Sequence, residues 1–187
     1  MKESLLYRLF RPIVAVLFRI IFNPKIINRE YINNSGPILL VGNHTSNLDA
    51  LLLLTAIKRP IHFMAKIELF KGPFGLIFRN LGLISVDRKK KNPDAIKKAT
   101  KYLKDNKVVL IFPEGTTEKG RGILDFKIGA FKIANDNNIK ITPFVIKGKY
   151  RPFINNLTIE FLKPISIKKD IDSEAKKLKK IIENKVK

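Results

Sequence analysis

Residues 37–57 read PILLVGNHTSNLDALLLLTAI, and the reading of this stretch decides the rest of the chain. The apolar run 37–41 starts at Pro37 and stops at Gly42. It is too short for a stable helix and is bounded by turn formers, so it predicts a buried strand. Residues 48–57 predict a helix. The polar loop between them carries His44, one of only two histidines in the chain.

The same alternation continues downstream. Residues 61–65 predict a strand, 73–79 a short helix opened by proline and stopped near Gly82, and 83–86 another strand. Asn92-Pro93-Asp94 predicts a capped helix start, with Ala95, Ile96, Ala99, Tyr102 and Leu103 on the inner face. Then come a strand at 108–112, a helix at 127–137, a strand at 139–146 broken by Pro143, and a strand at 157–162. A basic C-terminal helix is striped by Ala175, Leu178, Ile181, Ile182 and Val186. Strands alternating with helices predict an α/β fold with a mostly parallel sheet flanked by helices. In such sheets ligands bind beyond the carboxyl ends of the strands. His44 follows the first of these strands, Lys66 the second, Arg88 the third and Glu114 the fourth, so parallel pairing brings all four to one edge.

His44 and Asp49 are five residues apart. On one continuous helix they would point about 140° away from each other. They meet only if His44 stays in the loop and Asp49 opens the next helix. A histidine so placed can take a hydroxyl proton while the carboxylate sets its tautomer. Ser46-x-x-Asp49 also resembles a capping box, and the two readings are compatible. Phe112-Pro113-Glu114-Gly115-Thr116-Thr117 predicts a sharp turn after a strand, with main-chain N–H groups near Gly115 able to face an anion. Glu114 is suited to orienting a cation or binding a hydroxyl. Arg121 and Lys127 bring cations toward a helix start, where the dipole also favours anions, and the guanidinium of Arg88 matches phosphate geometry.

Composition narrows the classes. The chain has 187 residues, no cysteine, and a formal net charge of +21 from 37 Lys and Arg against 16 Asp and Glu. This surface attracts polyanions, whether nucleic acid, anionic lipid or an acidic carrier protein. No zinc-finger spacing or ribonucleoprotein motif supports the nucleic-acid reading. No G-x-S-x-G elbow, Walker A loop or G-x-G-x-x-G loop is present, which disfavours an α/β-hydrolase or nucleotide chemistry. Two histidines without cysteines disfavour a metal site, and no cofactor is expected.

Residues 5–22, LLYRLFRPIVAVLFRIIF, are apolar but interrupted by Arg8, Arg11 and Arg19, each costly near a bilayer centre. On a helix the arginines share one side and Leu5, Leu9, Ile13, Val16, Leu17 and Ile20 take the rest. That pattern predicts a helix lying in the headgroup plane, with an ordinary helix docked on the domain as the alternative. Pro12 starts or kinks it. A signal peptide is disfavoured, because no small-residue cleavage site follows.

Taken together, these motifs resemble the glycerolipid acyltransferase family, in particular the bacterial 1-acyl-glycerol-3-phosphate acyltransferases. Asn43, His44 and Asp49 match its first block. Lys66, Leu69, Pro73, Gly75, Gly82 and Asp87-Arg88 match the second. Phe112 to Thr116 with Phe126-Lys127-x-Gly129-Ala130-Phe131 match the third, and Ile141 to Val145 the fourth. The resemblance covers about residues 30–165. It divides the chain into a membrane-associating amphipathic segment, 1–30, and an acyltransferase domain, 31–187. It implies transfer of a fatty acyl group from acyl carrier protein or acyl-CoA to a lysophospholipid acceptor, without an acyl-enzyme, at an anionic membrane surface on the cytoplasmic face. Nucleic acid is not an expected partner. His44 is then the base and Asp49 its orienting acid. Asn43, Arg88, Glu114, Gly115, Thr116, Arg121 and Lys127 fall on the acceptor side, and Lys66 on the donor or acyl-chain side. One departure stands out: the family's third block usually continues with arginine, generally assigned to the acceptor's phosphate, where this chain has Thr117. Arg121, the only arginine nearby, is the expected substitute. Arg121→Ala should therefore raise the apparent KM for lysophosphatidate about tenfold, the loss of one charge-assisted contact; an unchanged KM in a steady-state assay counts against the substitution.

Overall fold

In the computed structural model, residues 5–87, 90–117, 122–168 and 170–187 are described. Seven strands form one sheet: β1 (Lys25–Ile27), β2 (Ile38–Gly42), β3 (Ile61–Lys66), β4 (Ile84–Val86), β5 (Val108–Ile111), β6 (Ile141–Lys147) and β7 (Thr158–Phe161). Their order across the sheet is β1-β7-β6-β2-β5-β3-β4. The five strands from β6 to β4 are parallel, and β7 pairs antiparallel with β6 while β1 runs parallel to β7. The helices are α1 (Leu5–Phe22), α2 (Asp49–Ala56), α3 (Gly75–Asn80), α4 (Pro93–Lys104), α5 (Gly129–Asp136) and α6 (Ile171–Val186). The expected α/β fold with a mostly parallel, helix-flanked sheet is the one observed.

Both faces of the central strands are buried, which is why they read as unbroken apolar runs. In β2, Leu39 and Val41 pack toward α4, α5 and α6, while Ile38 and Leu40 pack toward α2 and Phe18 of α1. β5 divides the same way, Val109 and Ile111 on one face and Val108 and Leu110 on the other. Truncating any of these to alanine would cost about 2–5 kcal/mol for the leucines and isoleucines.

Four local expectations change. The short strand β1 was not foreseen, and it places residues 25–27 in the sheet beside β7. Pro143 does not break β6. A residue's N–H and C=O point the same way across a sheet, and the Pro143 carbonyl accepts the Leu162 N–H at 2.8 Å. The missing donor therefore falls on the β7 side, where the ladder ends at Phe144↔Phe161, and the pairing with β2 is unharmed. Asn92 makes no side-chain cap for α4. Its amide instead closes the preceding loop, accepting from Asp87 N and donating to the carbonyls of Asp87 and Lys90. Ile96, Ile181 and Val186, expected on inner helix faces, are partly exposed.

Helix α1 lies along α2, and two of its three arginines, Arg11 and Arg19, reach inward while Arg8 is exposed. One Arg11 nitrogen, Nη2, donates to the carbonyls of Leu54 and Ile57, each at 2.9 Å, and Arg19 Nη2 donates to the Thr55 carbonyl at 3.2 Å. These carbonyls belong to the carboxyl end of α2, which lacks partners within its own helix and carries the negative end of its dipole. Ala15 and Phe18 complete the inner face. The outer face is apolar: Leu9, Phe10, Ile13, Val16, Leu17 and Ile20 are each more than half exposed. Among the described residues, no helix is long and apolar enough to cross a membrane. Arg11→Ala should remove the staple between α1 and α2 and lower unfolding free energy by about 1–3 kcal/mol, read from urea denaturation in detergent. A midpoint and slope equal to those of the unaltered chain would mean the staple contributes nothing.

Candidate active site

The carboxyl end of β2 leads into the loop 43–48. Gly42 closes the strand where no side chain fits, since a Cβ there would lie 2.5 Å from the Phe144 ring. Asn43 is buried and ties this end of β2 to β6: its Nδ2 donates to the Ile146 carbonyl at 2.9 Å, and its Oδ1 accepts from Ile146 N at 2.8 Å. His44 follows in the loop, and its ring stacks on Phe112 with centroids 3.9 Å apart and planes 7° from parallel.

Asp49, the first residue of α2, is wholly buried, and its carboxylate is the hub of the loop. Oδ2 lies 2.8 Å from His44 Nδ1 and accepts from Thr45 N at 2.6 Å and Ser46 N at 3.0 Å. Oδ1 accepts from Thr45 Oγ1 at 3.0 Å and from the hydroxyl of Tyr150. The five-residue spacing thus meets its geometric requirement. Half of the capping box is also present: Asp49 reaches back to the Ser46 N–H, whereas the Ser46 hydroxyl accepts from Leu48 N rather than from Asp49 N. A carboxylate only accepts, so its short contact with Nδ1 calls for a proton on that nitrogen. Nε2 then keeps its lone pair and is the nitrogen available to a substrate.

Tyr150, just after β6, was not foreseen. Burial, and then the adjacent Asp49 charge, push its hydroxyl well above the usual tyrosine range, so it stays a donor. No local pattern marks it; only the fold brings residue 150 to residue 49. Its ring also packs edge-on against Phe18 and Phe22 of α1.

Glu114, expected to bind a cation or hydroxyl, is buried, and main-chain donors engage both of its oxygens. Oε1 accepts from His44 N at 2.7 Å and Oε2 from Leu124 N at 2.9 Å. Burial raises its pKa, and these two N–H donors oppose the rise. Gly115 turns the chain at φ 72°, and a Cβ there would sit 2.9 Å from Lys127 Nζ. Thr116 is half-buried beside it. Arg88 and Arg121 lie outside the described residues.

His44, Lys66, Gly115 and Lys127 line one cavity of about 580 Å³ at the carboxyl edge of the sheet. Met64, Val86, Ile111, Ile128 and Ile133 supply apolar walls, and Lys90 and Lys91 further cations. Lys127 stands just before α5, whose first-turn N–H groups add positive potential. The lining joins a base, several ammonium groups and apolar side chains, as needed for a molecule with an anionic head and a hydrocarbon chain.

Residues 23–147 match the sequence profile of the family described as Acyltransferase, and the chain belongs to that family. Among its relatives, the "Probable 1-acyl-sn-glycerol-3-phosphate acyltransferase" of Mycoplasma genitalium is 31% identical over 82% of this chain and 57% of its own length. The 1-acyl-sn-glycerol-3-phosphate acyltransferase of Helicobacter pylori is 38% identical over 74% and 58%. "Lysophospholipid acyltransferase LPEAT1" of Arabidopsis thaliana is 34% identical over 70% and 36%. The chain spans about half the length of the curated relatives it matches. The crystal structure of the 1-acyl-sn-glycerophosphate acyltransferase PlsC from Thermotoga maritima superposes with a TM-score of 0.75, covering 100% of this chain and 82% of that one. At 20% identity that likeness speaks for the fold.

The tautomer is open to direct test. Nitrogen-15 NMR of the neutral ring, with His62→Gln to leave one histidine, should show His44 protonated at Nδ1 and bare at Nε2. A proton on Nε2 of the neutral ring would contradict the arrangement.

Proposed function

We propose that the chain transfers a fatty acyl group from a thioester donor, acyl carrier protein or acyl-CoA, to the sn-2 hydroxyl of 1-acyl-glycerol-3-phosphate, forming phosphatidate at the cytoplasmic face of the membrane. The observation that carries this reading is the pairing of His44 with buried Asp49 at the wall of a cavity lined by lysines and apolar side chains. His44 Nε2 takes the acceptor's hydroxyl proton as that oxygen attacks the thioester carbonyl. Asp49 stabilises the imidazolium, which returns the proton to the departing thiolate. One C–O bond forms and one C–S bond breaks, with no acyl group on the protein. Lys127, beside the Gly115 turn and the α5 amino end, is placed to hold the acceptor's phosphate. Lys66, which also lines the cavity, suits the donor, since both CoA and an acidic carrier protein bring negative charge. The apolar outer face of α1 rests on the lipid surface.

A second acceptor is favoured by Thr117, which stands where the family usually has arginine, and by the name of the Arabidopsis relative. A different lysolipid would then replace lysophosphatidate with the chemistry unchanged.

His44→Ala should lower kcat by about 10³-fold or more on mixed lysolipid and acyl-thioester substrates, with the fold retained by circular dichroism at the assay temperature. Mass spectrometry of products from a lysolipid panel distinguishes the two acceptors. Near-normal turnover by His44→Ala would remove the imidazole from the mechanism.

A further inference from the structure

The loop between β6 and β7 carries a feature that packing does not explain. Phe153 is 78% exposed, and its backbone sits at φ 61°, a conformation bulky residues rarely adopt. Ile154 beside it is also exposed. A phenylalanine held outward against its own backbone preference is the kind of strain that persists where a function uses it.

The loop is pinned in this posture. Phe153 N donates to the carbonyl of Ile21 in the last turn of α1 at 2.6 Å, and Ile154 N donates to the Arg151 carbonyl. Phe153 therefore stands beside the end of α1, the helix on which Leu17 and Ile20 are exposed. Lys149 and Arg151, both exposed, precede it in the same loop and bring positive charge. An apolar tip preceded by cations, next to the end of a helix with an apolar exposed face, is complementary to an anionic lipid surface: the side chains enter the acyl boundary and the cations meet the phosphates.

We infer that Phe153 and Ile154 form a second membrane-inserting element, a tip that enters an anionic bilayer together with the outer face of α1. This rests on the lipid-surface placement of α1 proposed above. The tip lies three residues from Tyr150, whose hydroxyl reaches Asp49, so the loop that enters the lipid also carries a member of the carboxylate's cage.

The chain contains no tryptophan, so a single introduced indole reports one position. Phe153→Trp and, separately, Ile20→Trp are mixed with vesicles of equal phosphatidylglycerol and phosphatidylcholine, and co-sedimentation is measured alongside emission. Both tryptophans should shift to the blue and be quenched by lipids brominated in their acyl chains. Phe153→Gly, which suits the positive φ, should lower the vesicle partition coefficient about tenfold without lowering the thermal midpoint. A shift at position 20 with none at 153, or unchanged partition of Phe153→Gly, sinks the tip and leaves the α1 reading standing. Failure of the unaltered chain to co-sediment sinks both. Emission at 153 that is already blue without lipid, and that depends on protein concentration, would assign the tip to a contact between copies and overturn the inference.

Discussion

A buried carboxylate organises this molecule. Removing an ionised carboxyl group from water costs several kcal/mol unless donors replace the lost hydration. Asp49 has five: the imidazole of His44, the N–H groups of Thr45 and Ser46, the Thr45 hydroxyl and the Tyr150 hydroxyl. Each donor is thereby fixed in place. The loop 43–48 cannot relax outward without exposing the charge to an apolar interior, so the imidazole is held on Phe112 with one nitrogen engaged and one free. Glu114 adds a second tie from below by accepting the His44 main-chain N–H. Two buried acids thus grip the histidine, one by its ring and one by its backbone.

The sheet explains why this loop faces a cavity. The chain leaves β2, crosses over α2 to β3 beyond β5, adds β4 at the edge, then returns through β5 to β6 on the other side of β2. Crossovers between parallel strands are right-handed, so reversing direction places the connecting helices on the opposite face. α2 accordingly packs on one side of the sheet, and α4 and α5 on the other. Ligand crevices in open α/β sheets lie at such reversals, beyond the carboxyl ends of the strands. The cavity is lined from both α4 and α5, and His44 reaches it from β2, whose loop leads to α2 on one face while that of neighbouring β5 leads to α5 on the other.

This architecture was legible to the extent that local rules determine it. Apolar runs bounded by Pro and Gly marked the central strands, because strands buried on both faces leave no room for polar residues. Parallel order then placed His44, Lys66 and the Glu114 turn at one edge without any side-chain information. What escaped is decided by contacts distant in sequence. β1 is three residues long and exists because β7 offers it a partner. Tyr150 acquires its place through β6. Asn92 has the composition of a cap, yet its amide is used by the loop before it. For Glu114, nothing local shows that the main-chain N–H groups of His44 and Leu124 engage its two oxygens.

α1 shows the same limit in its sharpest form. Periodicity establishes which residues share a side of a helix, but not which side meets the protein. In an isolated amphipathic helix the arginines would face water. Here Arg11 and Arg19 reach the domain, because the carboxyl end of α2 presents carbonyls that a guanidinium satisfies better than a methyl group does. Turning the cations inward forces the leucines and isoleucines outward, so the exposed apolar stripe is a consequence of how the helix is anchored. The anchoring also fixes Phe18 and Phe22 against Tyr150. One tyrosine therefore belongs to two assemblies, its ring to the seat of α1 and its hydroxyl to the cage around Asp49. A displacement of α1 that moved this ring would leave the buried carboxylate one donor short.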